Sequence, residues 1–266
     1  MAKIDPTAKV ADGAKLGADV FVGPYCIIGP DVTIGDGSHL VAHITIQGVT
    51  EIGAGAKIQP FASLGSPPQS VHYKGEKSKL IVGRNCDIRE GVTMNTGTAG
   101  GRMETRVGDN CMLMTGAHVG HDCIVGNNVI FANCATLGGH AEIGDFTFLG
   151  GFAAVHQNTR VGEQAMLGGV CAVRHDVIPF GMTDGTGQLG GLNLIGLKRR
   201  GYSRDTIHKL RAAYREVFLG EGSLADRVES VAKQFADEEA VQKIVTFIRG
   251  AGKRRITTAR NQHEGD

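Results

Sequence analysis

The stretch LGADVF VGPYCI IGPDVT IGDGSH L, residues 16–40, places an apolar residue at every sixth position, with glycine after most of them. The step extends back to Val10 and forward through Ile46, Ile52 and Ile58 to Leu64. It resumes at Val82, Ile88 and Met94. It resumes again from Val107 through Leu113, Val119, Val125, Phe131, Leu137, Ile143, Leu149, Val155, Val161 and Leu167 to Val173. A period of six suits neither the 3.6-residue helix nor the two-residue alternation of a strand. It suits short strands joined by tight turns and stacked as a solenoid, each coil burying its apolar positions against the next. The glycine after each anchor is expected to supply the backbone freedom that tight corners need. Two interruptions, about 65–81 and 95–106, are expected to leave the prism as loops. Long loops in a regular array are usually functional or disordered.

Composition narrows the reading. Forty glycines stand among 266 residues, with only seven prolines and no strict Gly-X-Y period, so collagen is excluded. Hydrophobic residues make up 41% of the chain, which argues against a disordered chain. Aromatics are 5% and Trp is absent, so the core must consist of small and branched aliphatics. A net charge of +1 argues against nucleic acid or any polyanion held by bulk charge. No apolar run is long enough for an integral membrane segment. The opening MAKIDPTAKV lacks the apolar core of a signal peptide, so the expected compartment is the cytoplasm.

Residues 1–190 read as the repeat domain and 191–266 as a C-terminal helical domain with a basic tail. The segment GTGQLGGLNLIGLKRRGYS reads as a connector. One helix is expected from about 204, capped by Ser203, with Ile207, Leu210, Tyr214, Val217 and Phe218 on one face. A second starts near Ser223, where Ser223 and Asp226 have a spacing close to a capping box, and a third near Asp237. The tail from Ala251, with Lys253, Arg254, Arg255 and Arg260, is expected to be frayed. Cys26, Cys86, Cys111, Cys123 and Cys171 each lie four residues after an anchor, a slot that Ala14, Ala56, Ala117, Ala153 and Ala165 share. That pattern points to small buried filler rather than disulfides or metal.

The histidines carry the chemical signal. Residues eighteen apart stack on adjacent coils. His121 therefore falls beside Gly139 and His140, and two coils on beside His156 and Gln157, with His118 three residues upstream of His121. Such a ladder suits zinc ligation or general base catalysis. Asp122 would orient the His121 imidazole, provided that the chain turns a corner there.

Taken together, the repeat and these segments resemble the hexapeptide-repeat UDP-N-acetylglucosamine acyltransferase family. The segments are AHVGHDC (117–123), GGH (138–140), VHQ (155–157), GGVC (168–171) and NLIGLKRRG (193–201). The resemblance covers about residues 4–250. It implies a mainly β fold, a left-handed parallel β-helix followed by a small α-helical domain, assembled as a homotrimer with sites between subunits. It implies transfer of a 3-hydroxyacyl chain from acyl carrier protein to the 3-position of UDP-N-acetylglucosamine, the first step of lipid A biosynthesis, with no cofactor and no metal. His121 would be the base, Asp122 its orienting partner and the Gly139 N–H an oxyanion donor. His72, Asn95, His118, His140, His156, Gln157, Asn193, Arg199 and Arg200 would bind substrate, and Gly169 would lie in the acyl groove. The basic run Lys198, Arg199, Arg200, Arg204, Lys209, Arg211 and Arg215 would steer the acidic carrier.

Members of this family commonly carry lysine where His72 stands, an acid near Ser70, and histidine and arginine where Asn95 and Thr96 stand. Some act on a 3-amino acceptor, which is the alternative reading here. A related N-acyltransferase would add a uridine-binding domain ahead of repeats that here begin by residue 10. Zinc enzymes of the γ-carbonic-anhydrase type and a catalytically inert β-helix are the remaining alternatives.

Overall fold

A computed structural model describes residues 1–259. The repeats fall on three sheets of eleven, nine and eight strands, the first, second and third faces of a triangular prism. Pairing is parallel except for one terminal hairpin, and partners lie eighteen residues apart, as in Phe21 with His39, Lys15 with Thr33 and His118 with Thr136. The anchors are the reason. Every one from Val22 onward is at most 3% exposed, and each removes its side chain from water at roughly 25 cal/mol per Å² of apolar surface. Val10 and Leu16, at the open end of the prism, are only partly buried.

Corner geometry corrects one expectation. The glycine after the anchor is not what turns the chain. At the commonest corners the left-handed residue sits three after the anchor, and it is often not glycine: Asp19, Tyr25, Asn85, Asp122, His140 and Phe152 all have φ between 53° and 62°. Asn and Asp tolerate this region through local hydrogen bonding, while the others are held there by the surrounding coils. Glycine after the anchor is needed because coils meet there. A Cβ on Gly23 would lie 1.8 Å from the Val41 carbonyl oxygen, and one on Gly144 would lie 2.4 Å from the Glu163 amide nitrogen.

The inner slot four after the anchor is filled as expected. Cys26, Cys86, Cys111, Cys123 and Cys171 are buried, and all six cysteines are free. The thiols of Cys86, Cys111 and Cys123 each lie 3.2 Å from a carbonyl of the next coil, at Gly108, Gly126 and Gly138.

Both interruptions leave the prism at the same edge, from the second face to the third. The first follows strand Ser63–Ser66 and ends at Lys79–Val82; the second follows Thr93–Asn95 and ends at Glu104–Val107. Register survives because each loop returns to its own edge. Lys57 pairs with Asp87 and Asp87 with Met112, thirty and twenty-five residues apart in place of eighteen.

The segment read as a connector is structured. Gly181–Thr183 pairs antiparallel with Leu189–Leu192, closing the end of the prism, and helix α1 (Leu194–Arg199) follows. Helices α2 (Arg204–Leu219), α3 (Leu224–Gln234) and α4 (Glu239–Arg249) match the expected three, with Ser203 and Ser223 accepting from the amides of Thr206 and Asp226. Arg160 ties the prism to α4: its guanidinium donates to the Phe247 carbonyl and stacks on that ring at 4.3 Å.

The tail is not frayed through residue 259. Ile256 and Ala259 bridge to Asp176 and Leu189, and buried Asp176 accepts from both Arg160 and Arg254. Residues 260–266, including Arg260, lie outside the described residues. Among those described, no helix is long and apolar enough to cross a membrane.

The two glycine roles separate by mutation. Gly23→Ala is expected to cost about 3 kcal/mol or more, because backbone must move to admit the methyl group. Gly37→Ala, at φ +65° with nothing within 4 Å of the new atom, should cost only about 1–2 kcal/mol. Thermal melts of both variants check this, and equal losses would contradict it.

Candidate active site

The edge that emits both loops also carries the histidine ladder. His118 opens the second-face strand His118–Val119, in register with Thr136, and its Nδ1 lies 2.8 Å from the Thr93 hydroxyl on the preceding coil. Three residues after the anchor Val119, the chain turns a corner at Asp122, with φ 59°. The condition set on Asp122 by strand alternation is therefore met. Its Oδ2 lies 2.8 Å from His121 Nδ1, and the carboxylate is fully buried.

Gly139 lies one coil further along, under the His121 ring. A Cβ there would sit 2.6 Å from His121 Cε1 and Nε2, so no other residue lets the imidazole take this position. No hydrogen bond among the described residues uses the Gly139 N–H. His140 follows, its ring edge-on to His121 at 5.0 Å between centroids and its Nε2 3.9 Å from Asp122 Oδ2. His156 and Gln157 continue the column as exposed residues.

Electrostatics sort these groups. Burial alone would raise the Asp122 pKa. Hydrogen bonds from the Thr98 hydroxyl, His121 and the Thr98 and Arg102 amides outweigh it and hold the carboxyl below the usual range. Burial pushes His118 down, helped by the neighbouring His121 charge. His140 is also pushed down, by burial against an opposing pull from Asp122. A neutral imidazole keeps one donor and one acceptor nitrogen, as recognition of hydroxyl groups requires. Ligand atoms of His121, Asp122 and His140 lie within 4.8 Å of one another. Both Asp122 oxygens already accept hydrogen bonds, so the carboxylate offers little to a metal ion.

The remaining candidate residues are scattered. His72 is exposed on the first loop. Asn95 is 3% exposed; its amide nitrogen donates to the Ser66 and Pro67 carbonyls while its Oδ1 has no partner among the described residues. Gly169 lies at the edge between first and second faces, after strand Met166–Leu167. Asn193 caps α1, accepting from the Gly196 amide and donating to the Gln164 carbonyl. Arg199 is exposed. Arg200 reaches the third edge, stacking on Phe146 at 4.9 Å and donating to its carbonyl. Within the basic run, Lys209 is paired with Asp205 and Glu238, while no ion pair among the described residues engages Lys198, Arg199 or Arg204. Sequence reasoning missed Thr98, Arg102 and Thr105, which surround Asp122. The available signal was a glycine-rich insertion, GTAGG at 97–101, one coil upstream of the AHVGHDC segment.

Comparisons with known proteins agree with this geometry. The family described as bacterial transferase hexapeptide (six repeats) matches residues 13–48 and 104–139. The family described as UDP N-acetylglucosamine O-acyltransferase, domain 2, matches 176–257. The acyl-[acyl-carrier-protein]–UDP-N-acetylglucosamine O-acyltransferase of Azorhizobium caulinodans is 65% identical over 96% of this chain and 95% of its own. That of Rickettsia typhi is 57% identical over 92% of this chain and 93% of its own. The solved UDP-N-acetylglucosamine acyltransferase of Campylobacter jejuni superposes with a TM-score of 0.90 at 36% identity, over 97% of this chain and all of its own. With its histidine ladder on a hexapeptide prism and relatives matched end to end, the chain belongs to the acyl-[acyl-carrier-protein]–UDP-N-acetylglucosamine O-acyltransferase family.

Proposed function

We propose that the chain transfers a 3-hydroxyacyl group from acyl carrier protein to the 3-hydroxyl of UDP-N-acetylglucosamine, the first step of lipid A biosynthesis. The observation that carries this reading is the His121–Asp122 pair. Asp122, ionised and buried, accepts from Nδ1–H and leaves the lone pair of Nε2 free to act as base. His121 takes the proton of the sugar hydroxyl as that oxygen attacks the thioester carbonyl. The tetrahedral oxyanion forms against the Gly139 N–H, whose missing side chain admits both the base and the carbonyl. Collapse breaks the C–S bond, and the His121 imidazolium returns its proton to the departing thiolate. His118 and His140, kept neutral, and exposed His156 and Gln157 bind the acceptor along the same edge. Exposed Lys198, Arg199 and Arg204 face the acidic carrier. Donor and nucleotide are water-soluble, which suits action in the cytoplasm.

A homotrimer completes the site in this account. His121, Gly169 and Arg200 stand on three different edges of one prism, so one chain cannot close a pocket around all three. A neighbouring copy can bring its own edges to the histidine ladder. Asn193, already committed to its cap, contributes by setting the angle of α1 and hence of Arg199 and Arg200.

Mass spectrometry tests the reaction. Purified protein, UDP-N-acetylglucosamine and 3-hydroxyacyl carrier proteins of graded length should give a nucleotide heavier by one acyl group. Product only with the 3-amino analogue would transfer the mechanism to an amine acceptor, and no product on any pair would contradict it. In the same assay Gly169→Met should shift preference to shorter chains. A Cβ there meets nothing nearer than the Gly151 oxygen at 3.5 Å, so the coil tolerates it, and an unchanged length profile would remove Gly169 from the groove. Mixing His121→Ala and Arg200→Ala subunits should restore part of the activity that each lacks alone; no recovery after subunit exchange would contradict the shared site.

A further inference from the structure

The second loop folds onto Asp122. The Thr98 amide lies 3.1 Å from both carboxylate oxygens, the Thr98 hydroxyl donates to Oδ2 at 2.6 Å, and the Arg102 amide donates to Oδ1 at 2.7 Å. Thr105 accepts from the Asp122 amide at 2.8 Å. Gly97 and Gly101 admit the carboxylate, since a Cβ on either would lie 2.9 or 2.4 Å from it. The first loop braces the second: Glu76 accepts from the Ala99 amide, and the Ser78 hydroxyl donates to Thr96.

What the loop withholds matters as much. Asp176, the corner residue three coils on, takes guanidinium groups from Arg160 and Arg254 directly on its carboxylate. The Arg102 guanidinium is beside Asp122 but bonds its backbone carbonyl, and its far nitrogen pairs with Glu142. Asp122 is therefore held by dipoles and, among the described residues, by no fixed cation. The positive charge left to answer it is the imidazolium that His121 becomes as it removes a proton, so the attraction is strongest in the transition state.

We propose that Thr98 is a positioning residue for the base. Its hydroxyl fixes the same carboxylate oxygen that receives His121 Nδ1–H, and so sets the ring and the tautomer while leaving the carboxylate charge unpaired. This inference rests on His121 acting as the base. The groups facing the pair are His118 on the preceding strand, His140 on the next coil, Arg102 on the loop with Glu142 behind it, and the Cys123 thiol next in sequence.

The test compares Thr98→Val, Thr98→Ala and Thr98→Ser. Removing the hydroxyl takes one strong donor from a buried anion. The less satisfied carboxylate attracts the imidazolium formed in the reaction more strongly. Val and Ala should lower kcat by about tenfold, leave KM within about twofold, and move the acid limb of the kcat/KM profile to higher pH. Ser should restore all three. A wild-type kcat and pH profile in the Val and Ala variants would overturn the proposal. So would a loss in Ser equal to theirs, or losses in all three that only follow their melting temperatures. His121→Ala, assayed in parallel, separates the two levels. If it keeps wild-type turnover, the base assignment fails and this proposal with it. If it is inactive while Thr98→Val is unchanged, only the role of Thr98 fails.

Discussion

Register between coils is the constraint on which the rest depends. An apolar side chain at every sixth position must point inward, and parallel pairing then sets residues eighteen apart about 4.8 Å from each other. A one-residue slip would turn a face of anchors toward water. The two loops add twelve and seven residues without breaking this, because each departs from and returns to one edge. A chemical group placed at a corner is thereby held as firmly as the core beneath it.

This firmness lets a left-handed corner carry chemistry. Asp122 and His140 occupy the same position on successive coils, with φ 59° and 62°. Both point away from the prism, and the coil spacing brings the His140 ring against His121. Catalytic groups usually sit on loops over a rigid scaffold. In the proposed mechanism the base is on the scaffold, and the loop supplies the environment of its partner.

Much of this was legible in the sequence because its cause is periodic. The anchors, the small inner slot and the alignment of His121 with Gly139 and of His140 with the next corner all follow from counting by six. The helix caps at Ser203 and Ser223 were legible because a hydroxyl three residues before an unpaired amide is a local signal. What escaped depends on contacts distant in sequence. The ordered tail is held by Asp176 and Leu189, far upstream, and α1 is too short for periodicity to reveal. The role of the glycines was misread because a tight approach between coils and a tight turn leave the same residue in the sequence. Thr98 and Arg102 escaped because a glycine-rich insertion marks a loop but does not say which way it folds. The spread of His121, Gly169 and Arg200 over three edges emerged only once strands were assigned to faces.

The account stands most directly on the turnover of His121→Ala, measured on protein with a wild-type melting temperature and assembly state. The loss of the base should reduce kcat by about 10²–10⁴-fold, since the prism and its binding residues remain. Turnover equal to the wild type would contradict the assignment of the base and the mechanism built on it.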